Sequence, residues 1–273
     1  MTNLIPTTSV RVPGFLPSLY GLRFPNAFPP TPVLRVPGTG IGVGNAADGL
    51  CGGMTFMARD LFEHHLAPPP DVTPPPDGPL FRYLVNRAIT SFDLPAGPAK
   101  YELWMGLPDH SSFFGAPGVV WRTLAREWPA VRADLDRGVP CPLGLIRTRS
   151  WNPMDLGRNH QVLAYGYDLR AGPDGGDAGA ARALDVLVYD PNWPGRDDVA
   201  IRVVLTDPLE ASTVAYMDGD APVRGFFRSA YRSADPSAVV PGPAGVPPGP
   251  GPGPGPVATG LPGSEIQSDH EPT

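Results

Sequence analysis

Two apolar stretches near the middle of the chain decide its fold class. Residues 159–167 read NHQVLAYGY and residues 184–192 read LDVLVYDPN, and both are rich in the Val, Leu and Tyr residues typical of buried strands. The intervening residues 168–181, DLRAGPDGGDAGAA, have the Gly, Pro and Asp content of a long turn. The two stretches are therefore predicted to pair as an antiparallel hairpin.

Three further strand-like runs follow Gly138, at residues 142–147, 199–205 and 223–231. Short apolar runs with Pro, Gly or Asp near their ends are typical of strands. Together with the hairpin, these runs predict that the second half of the chain is an antiparallel sheet.

Helical spacing dominates the first half of the chain. Apolar side chains that recur at intervals of three and four residues predict a helix that begins at Cys51 and ends before Pro68. Similar patterns predict a second helix near residues 80–91 and a third over residues 119–137, interrupted or bent at Pro129. A helical half followed by an antiparallel half predicts an α+β fold.

Composition divides the chain into three parts. Residues 1–40 form a Pro-rich arm, and its Phe24, Phe28 and Leu34 are predicted to anchor it on the domain. Residues 41–233 form the globular domain. Residues 234–273 contain a Gly-Pro alternation with a period of two, whereas a collagen helix needs Gly at every third position. This tail is therefore predicted to be disordered and polyproline-like.

Charge and hydropathy exclude several classes of partner. The 273 residues carry a formal net charge of −6 and no run of Lys or Arg, so no nucleic-acid partner is expected. No apolar run approaches the roughly 18 residues of a membrane span, so no membrane partner is expected either. Residues 1–12 lack the apolar core of a signal peptide. The sequence therefore predicts a cytoplasmic protein, with secretion that needs no cleaved signal left open.

The stretch GLCGGM places Cys51 among glycines at the first turn of the predicted helix. Unpaired amides and the helix dipole stabilise a thiolate there, and the same amides can bind the oxyanion of an acyl-transfer reaction. The alternative is a buried structural cysteine in a Gly-rich turn. Cys141, between two prolines, is interpreted as structural, and both thiols are expected to be reduced, although one bridge between them is possible.

A nucleophilic thiol needs a base and a group that orients the base. His160 begins a strand on whose face small residues leave room for a cleft, and Asp190 ends the next strand, where it would bond the Nδ1 hydrogen of the ring. The alternative for His160 is a histidine satisfied by a nearby carbonyl. The order Cys, His, Asp favours a triad. The histidines that are not expected to partner Cys51 are His64, His65, His110 and His270.

Residues 190–198, DPNWPGRDD, also space oxygen ligands around a Gly turn as calcium loops do. They lack a third carboxylate position and a late Glu, so an ordinary Pro/Gly turn is the favoured interpretation. The sequence predicts no cofactor and no metal.

These residues resemble the papain-like cysteine peptidase superfamily, and within it the C39-like (double-glycine-type) peptidases. The resemblance is carried by the Cys51 turn, the strand that starts at His160 and the Asp-Pro step at Asp190. It implies a papain-like fold and a thiol protease. The family usually has a Gln a few residues before the Cys as a side-chain oxyanion donor. Here Asn45 or Asp48 is the nearest candidate, and Asn192 is a further oxyanion or orienting candidate.

The sequence therefore predicts a thiol hydrolase or acyltransferase that acts on a peptide or amide bond. The alternative is an inactive papain-like module that binds a partner without turnover. An arm lying in the Cys51 cleft would act as an autoinhibitory segment, whereas an arm packed elsewhere would be structural. Neither the substrate nor the oligomeric state has a sequence signature.

Overall fold

The protein is an α+β fold in which helices cover a seven-stranded antiparallel sheet. The computed structural model describes residues 5–35, 42–93, 96–111, 117–171, 182–206, 211–216 and 222–240. The strands are β1 (Ile5–Arg11), β2 (Pro32–Arg35), β3 (Gly42–Asn45), β4 (Cys141–Ile146), β5 (His160–Ala171), β6 (Ala183–Tyr189), β7 (Ala200–Val204), β8 (Thr213–Tyr216) and β9 (Gly225–Arg228). The helices are α1 (Pro17–Tyr20), α2 (Cys51–Glu63), α3 (Gly78–Ser91), α4 (Ala96–Gly106), α5 (Val119–Arg122) and α6 (Trp128–Asp136).

Strand β5 is the centre of the main sheet, whose order is β8-β7-β6-β5-β4-β9. β6 pairs with one edge of β5, from Leu163 opposite Tyr189 to Arg170 opposite Ala183, so the predicted hairpin is confirmed. The tip of the hairpin, residues 172–181, lies outside the described residues. β4 and β1 pair with successive parts of β5 and so share its other edge. β2 and β3 form a separate two-stranded sheet.

Helix α2 packs on both α3 and β5, which brings its first residue to the start of β5. α2 and α3 begin and end close to the predicted residues. The predicted third helix is broken before Pro129, by a π-helical turn over Thr123–Glu127 that joins α5 to α6. Pro129 lacks an N–H, so the regular hydrogen-bond pattern cannot run through it. Within the described residues, no helix is long and apolar enough to cross a bilayer.

Six elements had no clear signal in the sequence, namely α1, α4, β1, β2, β3 and β8. Helix α4 contains two glycines and a proline and has almost no apolar periodicity, so the spacing rule does not detect it. Strand β1 lies in the Pro-rich arm, and β8 is short and only partly buried. The prediction that the first half of the chain is helical is thus only partly correct, because the first described element, β1, is a strand of the main sheet.

The predicted arm is built into the domain. Phe24 is fully buried and Phe28 is 5% exposed, which confirms both as anchors, while Phe15 packs against Tyr20 and Tyr165. Since β1 is also part of the main sheet, these residues complete the core and do not lie over a finished surface.

The packed chain continues beyond the predicted boundary at Ser233. The Ala234 N–H donates to Asp60 Oδ1 over 3.1 Å, and Val240 is 9% exposed in the main core cluster. The prediction that residues beyond Asp235 do not pack is therefore wrong up to Val240, because Val239 and Val240 supply apolar contacts. The rest of the predicted disordered tail, residues 241–273, lies outside the described residues.

Candidate active site

Cys51 is the first residue of α2 and follows a tight turn at Gly49. Gly49 has φ +95°, and a β-carbon there would lie 2.6 Å from Asn26 Nδ2, so the turn requires glycine. Asn26 Oδ1 accepts a 2.7 Å hydrogen bond from the Leu50 N–H. The Asn26 side chain therefore holds the turn that presents the thiol of Cys51, which is free and partly exposed.

The three residues of the predicted triad meet in one place. His160 Nε2 lies 2.8 Å from Asp190 Oδ1, so Nδ1 is the ring nitrogen left to face the Cys51 thiol, whose pKa His160 lowers. The predicted Nδ1 contact with Asp190 is therefore wrong. Asp190, beyond the end of β6, meets the far nitrogen.

Asp190 is 2% exposed, and its carboxylate is held by three donors. The Asn192 N–H donates to Oδ1 over 2.8 Å, the Tyr216 hydroxyl donates to Oδ2 over 2.8 Å, and His160 Nε2 completes the set. The carboxylate is therefore fixed before any substrate binds. Tyr216 belongs to β8, and no local sequence signal could have linked it to this site.

Electrostatics favour a thiolate–imidazolium pair. Burial raises the pKa of Cys51, but the charge and hydrogen bond of His160, with hydrogen bonds from the N–H groups of Gln161 and Gly52, outweigh it and lower the pKa below its ordinary value. Burial lowers the pKa of His160, but the charges of Asp190 and Cys51 outweigh it and raise the pKa to about 10. Burial raises the pKa of Asp190, which the charge of His160 and its hydrogen bonds lower.

The first-turn amides of α2 are the best-placed oxyanion donors. Leu50 provides no side-chain cap, so the amides of Cys51 and Gly52 have no helical acceptor. Of the predicted side-chain candidates, Asn45 lies near Cys51 with its Oδ1 accepting from the Ala47 N–H, and Asp48 lies beside it. Asn192 lies on the Asp190 side of the ring, with Nδ2 3.3 Å from His160 Nε2, which suits orientation.

Gly52 has no side chain, and neighbouring side chains fill the space beside its Cα. A β-carbon at Gly52 would lie 2.1 Å from Ser91 Oγ and 2.9 Å from Gln161 Oε1. Gln161 is 3% exposed, and Oε1 has no hydrogen-bond partner among the described residues. Gln161 lines the apolar side of the site together with Cys51. Its place directly after His160 was the only sequence feature that could have indicated this.

Two clefts meet at Cys51 and His160. The first, about 410 Å³ and here called the polar cleft, is further lined by Asn26, Asp48, Arg147, Arg158 and Asn192. The second, about 290 Å³ and here called the apolar cleft, is further lined by Leu50, Ala88, Ile89, Phe92 and Leu156. Since Asn26 lies in one wall, the described part of the arm borders the polar cleft without filling it.

Cys141 differs from Cys51 in every respect that controls reactivity. It is a free thiol, fully buried in β4, where burial, followed by the charge of Asp134, raises its pKa to about 12. This environment fits the structural interpretation from the sequence, because an inert cysteine is buried and protonated.

The carboxylates of the calcium alternative point to different partners. Asp190 bonds His160, Asp197 accepts from the N–H and hydroxyl of Ser18, and Asp198 pairs with Arg196. Across the described residues, no group of three or more His, Cys, Asp or Glu side chains could hold a metal ion. The segment after Asp190 is therefore interpreted as a structural turn.

Replacing Asn26 with Ala is expected to lower the free energy of unfolding by about 1–2 kcal/mol, because the Leu50 N–H loses its acceptor. Urea unfolding of the purified protein measures the change. Thr7→Val is the matched control, because it removes an exposed side-chain hydrogen bond and is expected to change stability by less than about 0.5 kcal/mol. Equal effects of the two substitutions would contradict a role for Asn26 in holding the turn.

Comparison with known proteins adds no relative, since no family model, no curated protein and no solved structure matches the chain. Function is therefore inferred from the chemistry of the residues around Cys51.

Proposed function

We propose that the protein is a thiol hydrolase or acyltransferase with a papain-like fold that acts on a peptide or amide bond. One observation carries the proposal: a thiol at a helix N-terminus bonds a histidine whose other ring nitrogen is held by a buried carboxylate, where two clefts meet. A nucleophile, a base and an orienting group in this relation are the requirements of covalent acyl transfer.

In the proposed reaction, the Cys51 thiolate attacks the carbonyl carbon, and the oxyanion is bound by the first-turn amides of α2. The imidazolium of His160 gives its proton to the leaving amine as the carbon–nitrogen bond breaks, which leaves a thioester on Cys51. Water, or an acceptor amine, then loses a proton to His160 and attacks the thioester. The carbon–sulfur bond breaks, and the thiolate–imidazolium pair is restored. Asp190 keeps Nδ1 directed at the sulfur throughout.

The inactive binding module is the second candidate. A filled cleft, or a Cys51 and His160 pointing apart, would favour it. The lowering of the Cys51 pKa by His160, and the clefts that both residues line, support the enzyme. The absence of a Gln before Cys51 supports the module, although Asn45 is an amide close to the thiol.

Iodoacetamide is expected to alkylate Cys51 at least about tenfold faster than a free thiol such as glutathione near pH 6, where an ordinary thiol with a pKa of about 8.5 is almost fully protonated. Cys141 in the same chain should remain unlabelled in the folded protein. Peptide mapping by mass spectrometry measures both rates. If Cys51 reacts no faster than glutathione, the activated thiolate does not exist.

Turnover separates the two candidate functions. Incubation of the protein with a mixed library of short peptides should yield cleaved or transferred products by mass spectrometry, and Cys51→Ala should yield none. Rapid alkylation of Cys51 without any product would favour the binding module.

A further inference from the structure

Arg147, directly after β4, is a cation in the wall of the polar cleft. Its Nε is buried, and within the part of the chain that the structure describes it has neither a hydrogen-bond acceptor nor an ion pair. Several other partly buried arginines have carboxylate partners: Arg170, Arg202 and Arg224 each pair with an aspartate. The Arg147 guanidinium lines the same cleft as Cys51 and has no counter-charge among the described residues, which favours an anionic ligand.

The main chain around Arg147 is fixed on both sides. The Arg147 N–H donates to Asn159 Oδ1 over 3.1 Å, and Arg224 Nη1 donates to the Thr148 carbonyl over 2.8 Å. Asn159 is the residue before His160, so the arginine and the catalytic histidine share one rigid support. A group held by Arg147 is thereby held in a fixed relation to the reacting atoms.

The charges of the polar cleft favour an anion. Two guanidinium groups, those of Arg147 and Arg158, line it with one carboxylate, that of Asp48. Arg158 is exposed and lies 3.6 Å from Asp155, so it is already balanced. Asp48 is exposed, so water and salt screen its repulsion of a bound anion. Arg147, unlike Arg158, is therefore partly buried and has no carboxylate beside it among the described residues.

We infer that Arg147 binds a carboxylate of the substrate, which restricts the proposed reaction to peptides that present a carboxylate to the polar cleft. This inference rests on the proposed function, because it takes the polar cleft as the substrate cleft. A carboxylate bound to the part of the guanidinium that faces the cleft would balance the charge of Arg147 and match the planar shape of the group. The carboxylate has two possible sources, an Asp or Glu side chain and the free C-terminus of a short peptide.

Calorimetric titration of full-length Cys51→Ala protein with tetrapeptides tests the inference, because this variant cannot cleave them and needs no activated thiol. The first comparison uses peptides that carry one Asp at each position in turn and the same peptides with Asn in its place. The second comparison uses peptides with a free C-terminal carboxylate and the same peptides with a C-terminal amide. In at least one of the two comparisons, the acid is expected to bind at least about tenfold more tightly, since hydrogen bonds to charged groups are stronger than those between neutral groups.

Arg147→Gln in the same background should abolish the preference for acids. Arg147→Lys retains the charge without the fork and should retain part of the preference. Arg149→Gln is the matched control, because Arg149 is exposed and is not among the residues that line the cleft; it should leave both affinities unchanged. Equal affinities for acids and amides, no binding of any acid, or a preference that survives Arg147→Gln would each overturn the inference.

The two proposals fail in different experiments. Turnover of neutral peptides at Cys51, with no preference for acids, would overturn the carboxylate site and leave the thiol hydrolase standing. Binding of acids through Arg147 without turnover by the wild-type protein would support the carboxylate site and contradict the hydrolase.

Discussion

Replacing Asp190 with Asn is expected to lower turnover by about 10²–10⁴-fold, the range set by loss of the orienting carboxylate in a triad. The amide that remains cannot balance the imidazolium. Burial then lowers the pKa of His160, as it does in the wild type against the opposing charge of Asp190. The pKa of Cys51 rises in turn, because the charge of His160 is what lowers it.

The pH dependence of alkylation gives the sign of this effect. In the wild type, the thiolate persists as the pH falls until the lowered pKa of Cys51 is reached. In Asp190→Asn, alkylation near pH 6 should become at least about tenfold slower, and the rate should recover only as the pH approaches about 8.5, the range of an ordinary thiol.

Tyr216→Phe provides a graded comparison, since it removes one donor to Asp190 but leaves the carboxylate. Its effect on alkylation and turnover should have the same direction and be smaller. An Asp190→Asn protein with the wild-type pH profile would show that Asp190 does not control the charge of the pair.

Replacing Asp60 with Asn is expected to lower the free energy of unfolding by about 3–5 kcal/mol, the cost of leaving a buried cation unpaired. Asp60 is fully buried in α2 and accepts five hydrogen bonds, two from Arg87, two from the hydroxyls of Tyr83 and Tyr231 and one from the Ala234 N–H. It therefore ties α2 to α3 and to the chain that follows β9. Urea unfolding measures the loss.

Asp198→Asn is the control for the Asp60 substitution. Asp198 also pairs with an arginine, Arg196, at 2.7 Å, but its side chain is 71% exposed. Exposed pairs contribute about 0–1 kcal/mol, so this change should have little effect. Comparable losses from both substitutions would show that burial does not determine the importance of the Asp60 network.

Several features of the site could be predicted because they depend on local sequence. A Gly-flanked cysteine before an amphipathic pattern predicts a thiol at a helix N-terminus, and α2 begins at Cys51. The hairpin of β5 and β6 joins strands adjacent in sequence, so it places Asp190 beside His160 with little ambiguity. Only the ring nitrogen was predicted wrongly, because it depends on how α2 packs on β5.

Other features depend on contacts between distant parts of the chain. Tyr216 reaches Asp190 only because β8 joins the sheet beyond β7, and Asn26 reaches Leu50 only because the described part of the arm enters the core. No spacing rule connects such residues, since periodicity reports the face of an element and not its neighbours. The same limit applies to Arg147, because the neighbouring residues in the sequence do not indicate that its guanidinium lacks a partner.

The sequence by itself determined the α+β class, the start of helix α2 at Cys51 and the choice of Cys51, His160 and Asp190 as the candidate site residues. Apolar periodicity and turn chemistry act over a few residues, so they survive without tertiary information. Only the tertiary structure decided the orientation of the His160 ring, the division of the site into a polar and an apolar cleft, and the burial of Arg147 without a partner. These features are decided by the packing of α2, β4 and the β5–β6 hairpin against one another, and that packing is a property of the assembled core.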